Sequence, residues 1–92
     1  MLKPTTIEAI RTRVAELRGS HASHYAAAKT ALAEAHALGE YLRTAGTQGD
    51  VLATLAANEC AIPPNVMVQE LSDAARADAQ RTADTFVNAT NA

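Results

Sequence analysis

Between Ala22 and Ala37 eight of sixteen residues are alanine, and the whole chain of 92 residues carries 22 of them. No residue favours the helix more. Its single methyl also lets the backbones of neighbouring helices approach closely. A chain with this pattern is expected to fold into helices that meet on small side chains. Strands are excluded from the other direction, because β-branched residues never alternate over a useful length.

A core of methyl groups is thin. Tyr25, Tyr41 and Phe86 are the only aromatics and there is no tryptophan. Each buried alanine methyl contributes only about 0.8 kcal/mol. One small domain over residues 1–92 is expected, and self-association, as a dimer, is the expected way to bury more.

Thr5-Thr6-Ile7-Glu8 reads as a capping box, with Thr5 accepting from the N–H three residues on and Glu8 reaching back. Ile7, Ile10, Val14 and Leu17 follow at 3-4-3 spacing, the strongest amphipathic pattern in the chain. The register continues through His21, His24, Ala28, Ala31, Ala35, Leu38, Leu42 and Ala45. It predicts one helix over about residues 6–45, roughly 60 Å long at 1.5 Å per residue. Gly19-Ser20 is the place where that helix would break, with glycine ending one segment and serine capping the next. A second apolar frame (Tyr25, Ala28, Leu32, Ala35, Gly39, Leu42) widens the face. Such a width suits a bundle helix with two neighbours better than a two-stranded coiled coil.

Two breaks follow. Ala45-Gly46-Thr47-Gln48-Gly49-Asp50 stops the first helix, and Thr47 or Asp50 caps a short one over about residues 50–60. Ile62-Pro63-Pro64-Asn65 stops that one. A last helix is predicted over about residues 65–88, with an apolar stripe on Val68, Leu71, Ala75, Ala79, Thr82 or Ala83, and Phe86, and a frayed tail beyond. The expected fold is all-α. It is a small bundle of three helices, or four with a break at 19–20, in which the long N-terminal helix packs antiparallel on the long C-terminal one. Ala28, Ala31, Ala35, Ala75, Ala79 and Ala83 are expected at their contact.

The formal net charge is −2 and unevenly spread. Lys3, Arg11, Arg13 and Arg18 mark the first helix, while the second half is acidic, a balance that disfavours nucleic acid as a partner. No apolar run reaches membrane-spanning length. Met1-Leu2-Lys3-Pro4 leads into charged helix without a signal-peptide h-region. Cys60 is the only cysteine, so no intrachain disulfide forms and a reducing cytoplasm is the expected compartment.

Little in the chain carries reaction chemistry. Cys60 sits among Glu59 and aliphatic neighbours, which suit a small buried hydrophobe and not an activated thiolate. Gly46-Thr47-Gln48-Gly49 precedes a helix but lacks the Lys-Ser/Thr of a phosphate loop. His36 and Glu40 form an ordinary i, i+4 pair. No catalytic residue, cofactor or metal is expected. His21 and His24 share a helix face at i, i+3 and could ligate a metal, though two ligands are a sparse set. As seam residues they predict an assembly that weakens as pH falls through about 6, when imidazoles charge.

The sequence therefore points to a non-enzymatic helical interaction module, an adaptor or inhibitor that occupies a partner's surface in the manner of small phage or mobile-element accessory proteins and secretion chaperones. Its expected contact is Ile7, Ile10, Val14 and Leu17, flanked by Arg11 and Arg18. Two alternatives stand beside it. One is a dimeric nucleic-acid-binding regulator that sets Arg11, Arg13 and Arg18 on phosphates. The other is a helical metal-binding protein that uses His21 and His24.

Overall fold

Pro4 opens the first helix, α1 (Pro4–Ser20), in the computed structural model, which describes residues 2–20, 25–63 and 66–92. Proline suits a first helical position because the N–H it lacks would find no partner there. The expected capping box does not form. Thr5 lies inside the first turn, and the Glu8 carboxylate takes Arg11 at 2.9 Å instead of reaching back. Three further helices follow: α2 (Tyr25–Thr47), α3 (Val51–Cys60) and α4 (Asp73–Asn91), with a 3-10 turn at Met67–Glu70. The described residues are helix, turn and connecting loop, with no strand among them.

The first two helices are not one rod. Arg13 and Glu34 are 21 residues apart in sequence, which on a straight helix would separate them by about 32 Å. Instead Arg13 Nε donates to Glu34 Oε2 at 2.7 Å and Nη2 to Oε1 at 3.2 Å. The longest dimension of the molecule is 35 Å, well short of the rod. The unbroken heptad register misled because each helix needs one apolar stripe whether or not a bend separates them. Folding back buries both stripes within one chain, which a rod cannot do. The Gly19-Ser20 alternative agrees with the end of α1 at Ser20. His21 and His24, and with them the metal-binding and pH-switch readings, lie outside the described residues.

Helix α2 is the centre of the bundle and touches α1, α3, the 3-10 turn and α4. Residues 31–35 are buried without interruption, as are Ala37 and Leu38. A helix enclosed on several sides needs small residues at more than one azimuth, and the alternating alanines supply them. Ala31 and Ala35 lie in the main core with Ile10, Val14, Leu38 and Leu42. Ala33, about 200° round the helix from Ala31, packs with Val68 and Ala79. Of the alanines expected at the contact, 31, 35, 79 and 83 are buried and 75 is half-buried; Ala28 falls outside the description. Glu34 is buried too, and the two-pronged Arg13 contact offsets the cost of removing its charge from water.

The turn into α3 is tight. Gly49 adopts φ +93°, open to glycine at little cost. Asp50 is the cap, accepting from Ala53 N at 3.1 Å. Helix α3 then runs back along α2 so closely that a methyl added at Gly46 would lie 2.6 Å from Thr54 Oγ1 and 3.0 Å from its Cα.

Helix α4 starts at Asp73 and not near 65, because the chain first makes the 3-10 turn and Ser72 then caps the helix by accepting from Ala75 N at 3.2 Å. It continues to Asn91 where fraying was expected. The tail is clasped by Lys3 and the first turn of α1: Lys3 N donates to Asn91 Oδ1 at 2.9 Å, Lys3 Nζ donates to Ala92 O at 2.7 Å, and the buried Thr6 hydroxyl lies 3.0 Å from Thr90 O. These contacts bring the start of α1 beside the end of α4. Helix α2 runs the same way as α4, with Ala33 beside Ala79 and the Tyr41 hydroxyl donating to Asp84 further along.

Two glycines on helices test the close-approach argument in opposite directions. Gly46→Ala meets backbone atoms that cannot rotate away, so it should destabilise the fold by about 1–3 kcal/mol. Gly19→Ala meets nothing within 4 Å and should stabilise it by about 0.5–1 kcal/mol. Urea denaturation midpoints report both. A neutral Gly46→Ala would show that α2 and α3 do not pack this closely.

Candidate functional site

The face predicted to meet a partner is already occupied by the chain itself. Ile7, Ile10, Val14 and Leu17 are only 5%, 0%, 1% and 8% exposed, packed against α2 and the end of α4. Among the described residues the exposed large apolar side chains lie on α3 instead: Val51, Leu52 and Leu55 at 71%, 55% and 61%. Sequence reasoning used these residues only to propose the helix. The signal that could have placed them outside is the spacing of small residues. Ala53, Ala56 and Cys60 follow at 3-4 intervals and are the buried stripe of α3. Gly46 of α2 stands against Thr54, and a methyl added at Gly39 would lie 3.9 Å from the Cys60 carbonyl oxygen. A helix so close to its neighbour has room for methyl groups and a thiol, not for leucine. The large residues take the opposite side.

A groove of about 480 Å³ runs beside this face, between α1 and α3. Leu52, Leu55 and Ala56 form one wall, Pro4 and Ile7 the other. An ion cluster closes one end: Arg11 Nη1 holds Glu8 at 2.9 Å and Nη2 holds Glu59 at 2.7 Å. The hydrogen bond to Glu59, then the charges of Glu59 and Glu8, raise the Arg11 pKa above its usual value. Arg11 thus borders an apolar groove. Arg18 is exposed near the end of α1. Arg13 is committed to Glu34 and faces Glu16 at 3.7 Å.

A second crevice, of about 350 Å³, opens between α2, the 3-10 turn and α4, with a floor of Ala33, Ala37 and Val68 beneath His36, Arg76 and Gln80. Its polar groups serve the fold. Arg76 Nη2 donates to Gln69 O at 2.6 Å, and Gln80 Nε2 donates to Asp84 Oδ1 at 2.9 Å. Asp84 also accepts from the Tyr41 hydroxyl, and these bonds, Tyr41's first, hold its carboxyl below the usual range. Cys60 is buried, and burial, then the charge of Glu59, raises its thiol against the opposing pull of Arg11 and Arg18. Such a thiol stays protonated and makes a poor nucleophile. Among the described residues no group of three or more His, Cys, Asp or Glu side chains could hold a metal ion, and no helix is long and apolar enough to cross a membrane.

Comparison with protein-family models, curated proteins and solved structures finds no match to this chain. Its surface chemistry is therefore the ground for a functional reading.

The Tyr41–Asp84 bond predicts an alkaline transition. Donation to Asp84, then burial, then the Asp84 charge push the Tyr41 pKa from 10.0 up to about 12. The folded chain holds this proton more tightly than the unfolded one. The resulting stability is complete below pH 10.0 and is lost as pH rises towards 12. Chemical denaturation followed to pH 12 should show a fall that Tyr41→Phe flattens. Parallel curves for the two proteins would remove the bond from the account.

Proposed function

We propose that this chain is a non-enzymatic helical protein–protein interaction module, an adaptor or inhibitor that works by seating a protein surface against α3. The observation that carries the reading is the inverted polarity of α3, with small residues inward and Val51, Leu52 and Leu55 outward. Scattered single apolar residues on a surface need no explanation, but three on one ten-residue helix beside a groove form a contiguous patch. Exposing them forgoes roughly 1.5–3 kcal/mol for each side chain that a partner could bury. Helix docking against an apolar groove is a recurrent mode of recognition.

The nucleic-acid alternative loses ground on the same surface. Arg11 and Arg13 are spent on Glu8, Glu59 and Glu34, and freeing them for phosphate would leave the buried Glu34 unpaired. The metal-binding alternative rests on His21 and His24 and gains no support from the described residues.

A pull-down from the native host tests the reading. Leu52→Asp combined with Leu55→Asp should leave the helical circular dichroism unchanged, because both side chains are exposed. Partner retention should weaken at least about tenfold, the equivalent of about 1.4 kcal/mol. Ile10→Asp is no substitute, since Ile10 is fully buried and its loss would unfold the chain. Full retention by the folded double variant would refute the α3 surface. A gel shift that is steeply salt-dependent would favour the nucleic-acid alternative in its place.

A further inference from the structure

We propose that the crevice between α2, the 3-10 turn and α4 binds a small organic carboxylate with an apolar body, its charge held by Arg76 and its body seated on alanine and valine. The site is separate from the α3 surface, since α3 supplies none of its walls.

The crevice follows from how the bundle packs. Ala37 belongs to the main core, whereas Ala33 and Val68 belong to the smaller cluster. The opening lies along the seam between the two. Ala33 and Ala37 are one turn apart on α2 and put only methyl groups towards it. Larger side chains there would fill the space. What remains is about 350 Å³, at the small end of the range of about 300–1,000 Å³ usual for ligand cavities. Its floor is apolar and its rim polar, and no Asp or Glu is among the lining residues.

The charge at the rim is what selects an anion. Arg11, Arg13, Arg43 and Arg81 each hold a carboxylate. Arg76 is in no ion pair among the described residues. Its one bond runs from Nη2 to the Gln69 carbonyl oxygen at 2.6 Å. A neutral carbonyl fixes the guanidinium without neutralising it, and the remaining N–H donors can still take a carboxylate. Fixing the side chain beforehand also lowers the entropy lost on binding.

The acids nearby are engaged elsewhere or set aside from the crevice. Glu70 is held by Lys29 and Glu40 by Arg43. Asp84 accepts from Tyr41 and Gln80. Asp73 stands three residues before Arg76 without pairing with it. A cationic ligand would meet Arg76 with no carboxylate on the walls to receive it. A dianion such as phosphate would call for further fixed charge and would gain nothing from the methyl floor. A carboxylate on an apolar body uses both halves of the site.

Titration of the full chain with sodium benzoate, followed by amide chemical shifts, tests this. Saturable shifts are expected for residues about Ala33–Ala37, Val68–Gln69 and Arg76–Gln80, with a Kd on the order of 1 mM or tighter. Benzamide keeps the shape without the charge, and should bind at least about tenfold more weakly. Inorganic phosphate should give no saturable shift. Arg76 is exposed, so Arg76→Gln should leave the circular dichroism unchanged. It should weaken benzoate at least about tenfold and leave benzamide as it was. Arg76→Lys, which keeps the charge but loses the fork, should fall between the two. Absence of saturable shifts up to about 20 mM benzoate, or shifts confined to another part of the molecule, overturns the site. Benzamide binding as well as benzoate, or Arg76→Gln binding benzoate like the wild type, overturns the role of Arg76. Phosphate binding as well as benzoate shows an adventitious anion only. The wild-type comparisons decide the matter even where Arg76→Gln disturbs the turn at Gln69, and none of these results bears on the Leu52 and Leu55 surface.

Discussion

Close approach to α2 is the constraint on which the rest of the molecule depends. One helix is enclosed by α1, α3 and α4, and only small side chains allow three neighbours to reach it. Ala31 and Ala35 serve one side, Ala33 another, and Gly39 and Gly46 a third. Alanine gives little transfer free energy for each residue buried, so the fold gains from number and proximity of contacts. The larger side chains Ile10, Val14, Leu38 and Leu42 fill what remains between α1 and α2.

The same constraint creates the apolar surface. Helix α3 lies against the glycine edge of α2, and its inward stripe is limited to Ala53, Ala56 and Cys60. Val51, Leu52 and Leu55 have nowhere to go but outward. An ordinary amphipathic helix hides its large residues and leaves a polar face for water. Here close packing reverses that order and leaves an apolar patch facing water.

Charge plays a supporting part that explains why so many arginines yield so little basic surface. Arg13 reaches from α1 to the buried Glu34 of α2, and Arg11 reaches from α1 to Glu59 of α3. Each joins two helices that the apolar contacts have already brought together. Exposed ion pairs of this kind fix register more than they add stability. Arg13 differs because the carboxylate it serves has left water. The basic N-terminal and acidic C-terminal character of the chain is thus partly neutralised within one fold.

The sequence by itself determined the helices and much of their punctuation. Alanine propensity, the Gly46–Asp50 stop and the Pro63 break are local properties, acting through the backbone of a few neighbouring residues. The short middle helix was legible for that reason, while its cap was narrowed only to Thr47 or Asp50, of which the structure uses Asp50. The burial of Ile7, Ile10, Val14 and Leu17 against their own chain was not, because an apolar stripe records a need for cover without saying what supplies it. Nor was the bend between α1 and α2 visible in a heptad register that both helices share. The clasped end of α4, held by Lys3 and Thr6, came from contacts more than 80 residues apart in sequence. Only the tertiary structure decided which face of α3 was left open, since that choice depends on how near α2 comes and therefore on which side chains physically fit between them.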